Sequence, residues 1–170
     1  GIPAYHYEIA RELALQMTKH VLISISGLHF DMEGDNGNGE PVEIITPASY
    51  YLKNGKHYVL YDEVVEGVPG KIKNTIKITD SDMFEIRKSG IANTHMVFER
   101  GKMNMTSYET PFGEMMVGIH TRNITTEVEQ EKIDVHITYA LDVNNEPLAD
   151  CEIDVKICPI RREDGVVVGS

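Results

Sequence analysis

Between Lys132 and Ile157 the chain alternates apolar and polar residues almost without interruption. Ile133, Val135, Ile137, Tyr139 and Leu141 share one parity; Ala149, Cys151, Ile153, Val155 and Ile157 share another. Asn144-Asn145-Glu146-Pro147 separates the two runs. A period of two with polar partners predicts strands that bury one face and wet the other. A short polar turn between them predicts an antiparallel hairpin. Both sets are expected to point inward, because a slip of one residue would expose them all.

The same grammar runs upstream. Val21, Ile23 and Ile25 share a parity, and the phase flips after Gly27 to Leu28 and Phe30, which predicts a bulge or sharp bend. Residues 31–40 read as a polar loop, and a strand from Val42 to Thr46 is expected to stop at Pro47. Asn54-Gly55 between residues 49–53 and 56–62 is a strong hairpin signal. Gly67-Val68-Pro69-Gly70 is a turn, and Ile72, Ile76 and Ile78 mark a strand ending at Asp80-Ser81-Asp82. Strands follow over 83–88, 94–99, 103–110 and 115–128, with turns at Arg100-Gly101-Lys102 and Pro111-Phe112-Gly113. Roughly ten short strands without interleaved helices predict an all-β fold. A single antiparallel up-and-down β-barrel is favoured over a sandwich, because closure removes exposed edges.

Both ends differ from this middle. Tyr5, Ile9, Leu13 and Met17 recur every four residues behind Pro3, which predicts a short amphipathic N-terminal helix. Met17-Thr18-Lys19 reads like a bacterial start, so residues 1–16 are taken as an added extension. The expected organisation is this extension, a barrel over 17–158 and a tail over 159–170.

The 170 residues suit one domain, and at 41% hydrophobic they can fill a core. The formal net charge of −11 argues against nucleic acid and against anionic membrane surfaces as partners. No apolar run approaches the roughly 18 residues of a helical membrane span. Neither is there a secretory signal pattern, and a cytoplasmic location is expected. Cys151 and Cys158, if on one strand, lie roughly 20 Å apart at about 3.3 Å per residue, too far for a disulfide. Free thiols fit a reducing compartment, and Cys151 reads as a small core residue. Asn104-Met105-Thr106 and Asn123-Ile124-Thr125 are then chance matches to a glycosylation acceptor.

Several stretches resemble the YwiB-like family of small bacterial proteins of unknown function. They are Val21-Leu-Ile-Ser-Ile-Ser-Gly27, Tyr50-Tyr-Leu-Lys-Asn-Gly-Lys56 and Thr75-Ile-Lys-Ile-Thr-Asp80. The most distinctive are Met96-Val-Phe-Glu-Arg-Gly101 and Tyr108-Glu-Thr-Pro-Phe-Gly113, running on to Gly118 and Thr121. The resemblance spans about Met17 to Ile157 and implies a lipocalin-type, calycin-like barrel. It implies no activity and no catalytic residues.

Chemistry-bearing motifs are sparse. The loop from Asp31 to Glu40 places oxygen ligands at alternate positions, as a calcium loop does. It lacks the glycine and the closing glutamate of that motif, and a solvated turn is the simpler reading. The seven histidines are scattered; His95 and His120 lie on strands that could approach, while His136 shares an outward face with Asp134 and Thr138. Nothing encodes the three or four converging ligands of a zinc site. No nucleophile elbow, phosphate loop or nucleotide fingerprint is present. Arg87 is opposed in parity to Phe84 and Ile86 and should face water. Arg100 shares the parity of Met96 and Phe98 and is either an interior anion clamp or a strand-end surface residue.

The expected function is therefore non-covalent binding of a small, partly apolar molecule inside or at the mouth of the barrel. The candidate ligand-binding residues are Met96, Phe98, Arg100, Tyr108, Met116 and His120; Met96, Met103, Met105, Met115 and Met116 cluster around them. No cofactor, metal or catalytic residue is assigned, and a homodimer is compatible with the sequence. One alternative is a filled barrel that docks a protein partner. The other is an enzyme with an unrecognised site among Arg100, Tyr108, His95 and His120.

Overall fold

Ten of the strands follow one another around a single wall. The computed structural model describes residues 19–27, 43–91, 93–110, 113–163 and 166–168. Its strands are β1 (Lys19–Ser26), β2 (Glu43–Lys53), β3 (Lys56–Glu63), β4 (Ile72–Thr79), β5 (Met83–Gly90) and β6 (Thr94–Glu99). They continue with β7 (Met103–Thr110), β8 (Gly113–Glu129), β9 (Lys132–Val143), β10 (Glu146–Pro159), β11 (Arg161–Glu163) and β12 (Val166–Val168). The first ten form one antiparallel sheet in the order β6-β5-β4-β3-β2-β1-β10-β9-β8-β7, and β11 and β12 pair separately. Every neighbour in the large sheet is consecutive in sequence, save that β1 pairs with β10. This is an up-and-down meander, curled into a nearly closed barrel with one seam between β6 and β7. The predicted N-terminal helix and the 31–40 loop lie outside the described residues.

The alternation does what the sequence requires of it. Ile133, Val135, Ile137, Tyr139 and Leu141 are buried, as are Ile153, Val155 and Ile157 opposite them. Cys151 is half-buried against the core, and both thiols are free. Ala149 is the exception: it keeps the register, opposite buried Leu141, yet is exposed at the strand end beside the register shift between Pro147 and Ala149. Asn54 and Gly55 both take positive φ, 53° and 74°, as the tightest hairpin turn demands. Gly27 ends β1 at φ 94°, where a side-chain Cβ would stand 2.2 Å from the Glu152 carbonyl oxygen, so only glycine fits.

One boundary is corrected. Pro47 does not end a strand; β2 runs through it, with Pro47 opposite Leu22 of β1. Pairing of β2 with β3 begins only at Ser49, so the missing N–H falls where β2 has a free edge.

The seam is closed by side chains and turns. β6 and β7 share no ladder, although the turn Arg100–Lys102 joins them. The Gly101 amide donates to the Thr121 carbonyl at 2.9 Å, and the Thr121 amide donates to the Lys102 carbonyl at 3.1 Å. The Arg100 guanidinium donates to the Ser81 carbonyl at 2.8 Å and to the Ile124 carbonyl on β8. It thereby ties the β4–β5 turn to the far side of the gap. Thr126 completes the tie, its amide meeting the Ser81 hydroxyl at 3.0 Å and its hydroxyl donating to the Asp80 carbonyl at 2.9 Å.

Candidate functional site

The middle of the barrel is filled by rings. Phe84 and Phe98 meet edge-to-face at 6.0 Å, and Phe98 meets Tyr139 across the seam at 5.0 Å. All three are essentially fully buried, and such contacts add to plain area burial. Tyr139 lies in register between Thr121 and Cys151, and burial, together with the neighbouring Cys151 thiol, pushes the Tyr139 pKa up. Isoleucines from six strands surround this plug: Ile23, Ile76, Ile86, Ile119, Ile137 and Ile153.

Against that apolar interior one inner row is polar. Tyr61, Asn74, Lys88 and Thr94 stand directly opposite one another across β3, β4, β5 and β6. Their parity is that of Val59, Ile76, Ile86 and Met96, which form the next row inward and are all buried. Glu63, two residues beyond Tyr61 on the same face, draws the row together. One of its oxygens, Oε1, accepts from Asn74 Nδ2 at 3.1 Å and from Lys88 Nζ at 3.0 Å. Burial favours the neutral acid at Glu63, but the bonds from Lys88 and Asn74 outweigh it and hold the pKa below the ordinary glutamate value. Burial and the nearby Glu63 charge both push the Tyr61 pKa up.

The amide orientation of Asn74 follows from chemistry. An ionised carboxylate only accepts, so the Asn74 nitrogen must face Glu63. Its Oδ1 is then left buried without a partner, and so is the Thr94 hydroxyl. Asn74 is 1% exposed, which makes this an unmet acceptor enclosed in the wall. Above the row, the β3–β4 connection and the residue after β5 present Val64, Val65, Val68 and Ile91 to solvent. These two segments touch: the Ile91 amide donates to the Lys71 carbonyl at 3.4 Å. An apolar rim thus overlies a polar row, which overlies the packed core.

The six sequence-predicted residues do not line one cavity. Met96 and Phe98 are core residues one and two rows below Lys88 and Thr94, and Tyr108 on β7 is half-buried against the same core. Met116 and His120 lie on the outer face of β8, opposite in parity to buried Val117 and Ile119. The paired methionines at 115 and 116 hid that parity. His120 Nε2 bonds Asp142 Oδ2 at 2.8 Å, and Met116 is 41% exposed beside outward-facing Met103 and Met105. Arg100 is the seam clasp, its guanidinium occupied by backbone carbonyls. Arg87 faces water, as its parity predicts. His95 is held between Glu85 at 3.0 Å and Arg87 at 3.3 Å, and so is committed apart from His120.

The polar row was missed, although alternation carried a signal for it. Lys88 continues the parity of Phe84 and Ile86, Asn74 interrupts that of Ile72 and Ile76, and Glu63 continues that of Val59 and Tyr61. Among the described residues no group of three or more His, Cys, Asp or Glu gathers as metal ligands. A depression of about 260 Å³ on the outer face of β8–β10 is lined by Glu127, Asp134, His136 and Asp154. Two of its carboxylates are paired, Asp154 with His136 at 2.6 Å and Asp134, through Oδ2, with Lys132 at 3.1 Å.

The match to known proteins follows this architecture. Residues 23–155 match the family described as a domain of unknown function, DUF1934. The chain belongs to that family. It is 31% identical over 112 residues to the uncharacterized beta-barrel protein YwiB of Bacillus subtilis strain 168, covering 66% of this chain and 77% of that protein. The crystal structure of the ywiB protein from Bacillus subtilis superposes with a TM-score of 0.65 at 21% identity, covering 88% of this chain and 97% of the other. The resemblance read from the motifs is thus shown, and the shared fold is a β-barrel.

Proposed function

We propose that this barrel binds a small, partly apolar molecule non-covalently, as a lipocalin-type carrier or sensor in the cytoplasm. The ligand enters at the end where β3 and β5 finish. The observation that carries the reading is the inner polar row beneath an apolar rim. A filled barrel with no ligand has no need of Lys88, Asn74 and Thr94 on its inner wall, where burying polar atoms costs stability. Apolar walls with a few placed polar groups are the usual make-up of a ligand pocket. The ring plug of Phe84, Phe98 and Tyr139 limits the ligand to the rim end rather than the whole interior.

A thermal-shift screen of small amphiphiles tests this. A ligand at a hundredfold excess over its dissociation constant stabilises the native state by about 2.7 kcal/mol. The expected result is a rise in melting temperature that Lys88→Met reduces. If no compound raises it, the barrel is better read as a docking module presenting Met103, Met105 and Met116 on its outer face.

A further inference from the structure

We infer that the row Tyr61–Asn74–Lys88–Thr94, with Glu63, selects a neutral head group that donates a hydrogen bond, such as an amide or an alcohol, over a carboxylate. This rests on the binding reading above and sharpens it. The charges inside the row cancel: Lys88 is already matched by Glu63 at 3.0 Å. A ligand anion would gain Lys88 only by competing with a carboxylate already bonded there, and it would face that carboxylate at close range. The Glu63 side chain is 37% exposed, so water screens part of that repulsion, yet an anion still meets a like charge where a neutral head group does not.

The unmet groups add the decisive constraint. Asn74 Oδ1 can only accept. Its own nitrogen is fixed on Glu63 at 3.1 Å, so the amide cannot flip without putting oxygen against oxygen. A carboxylate has no proton to give Asn74 Oδ1, whereas an amide N–H or a hydroxyl has. Thr94 stands in the same row with its hydroxyl also unpartnered, and it can donate to the carbonyl of an amide or to the oxygen of an alcohol. The acyl portion then lies toward Val64, Val65, Val68 and Ile91 at the rim. A site built around a hydrogen bond rejects the analogue that cannot make it far more strongly than an apolar pocket rejects a changed methylene.

The test uses the full chain with octanamide and octanoate, matched in tail and different in head. Isothermal titration gives each affinity, and nitrogen–proton correlation spectra follow the Asn74 side-chain amide. The expected result is octanamide binding at least tenfold tighter than octanoate, with the Asn74 side-chain signals moving on octanamide addition. Asn74→Leu, which keeps the branched shape and removes the polar atoms, should bring the two affinities within about twofold. Its far-ultraviolet circular dichroism must match the parent, and Thr94→Val serves as the second variant should it not fold. Equal or tighter binding of octanoate that moves the Asn74 signals overturns the head-group inference while leaving the barrel a binder. Binding of either compound without movement at Asn74 overturns the site. Binding of neither, with no hit in the thermal screen, overturns both readings.

Discussion

The β9–β10 hairpin and the β6–β7 junction are both short connections between neighbouring antiparallel strands, yet they hold together by different means. From Ala149 to Ile157 on β10, every residue has a ladder partner on β9, and nearly all the inward positions are apolar. Each backbone bond there is cooperative with its neighbours, so the hairpin follows from its pattern alone. β6 and β7 diverge directly after their turn, and the wall is closed there by the Arg100 guanidinium, by the Thr126 and Ser81 hydroxyls and by isolated backbone bonds of Thr121 to Gly101 and Lys102. The comparison separates closure by a continuous backbone ladder, which any alternating sequence can reach, from closure by a few isolated backbone bonds reinforced by side chains, which only particular residues supply. It also accounts for an exposed arginine in the family-like motif Met96 to Gly101: its long donor fork spans the Ser81 and Ile124 carbonyls on opposite sides of the gap.

The comparison can be broken most severely at Ile137. Ile137→Asp places a carboxylate at a fully buried position between Ile124 and Ile153, and it should abolish cooperative folding. Loss of the thermal transition in calorimetry is the expected outcome. A variant that still melts cooperatively near the parent temperature would mean that the hairpin is not the structural backbone of the barrel.

A smaller and more local effect is expected at the seam. Arg100→Met keeps the stem and removes the donors, and loss of charged hydrogen bonds of this kind costs about 1.5–3 kcal/mol. The barrel should still fold, with hydrogen exchange rising in β6, β7 and the middle of β8 while β9 and β10 keep their protection. Uniform acceleration across all strands would remove the distinction between the two kinds of closure.

The smallest effect is a pH dependence on the wall remote from the seam. Tyr50 and His57 are bonded at 2.7 Å between the tyrosine hydroxyl and Nδ1, and burial pushes the tyrosine up to about 12. Burial also lowers the His57 pKa below 6.5, with Asp80 partly opposing it. The unfolded chain therefore binds the proton more readily, and stability falls as pH drops below about 6.5 through the folded value. Glu63, likewise lowered, adds a second loss below about pH 4.5. Denaturant midpoints measured from pH 7.5 to about 3 should fall in two stages, and His57→Gln should flatten the first. Midpoints that rise on acidification would contradict the sign for both groups.

How far each region was legible follows from the same physics. Side-chain parity is a local property, so the β9–β10 sets, the Asn54-Gly55 turn and the outward Arg87 could be read from residues two apart. Pro47 was misread because a missing N–H matters only where a neighbour needs it, and which edge of β2 is free at that point is set by where β3 begins to pair. Met116 and His120 are ligand-binding candidates from sequence, but methionines at two successive positions fit either parity, and the ladder to β7 and β9 places both on the outer face. The polar row draws on four separate strands, and although each residue keeps the inward parity of its own strand, no local pattern shows that the four stand side by side.

The sequence by itself determined the element type, most turns and which face of each strand goes inside, since these depend on spacing along the chain. Tertiary structure alone decided which residues meet: that Arg100 reaches Ser81 and Ile124, and that Glu63, Asn74 and Lys88 converge on one inner wall. Those encounters depend on curvature, strand tilt and register summed over the whole barrel. No local stretch of chain encodes that sum.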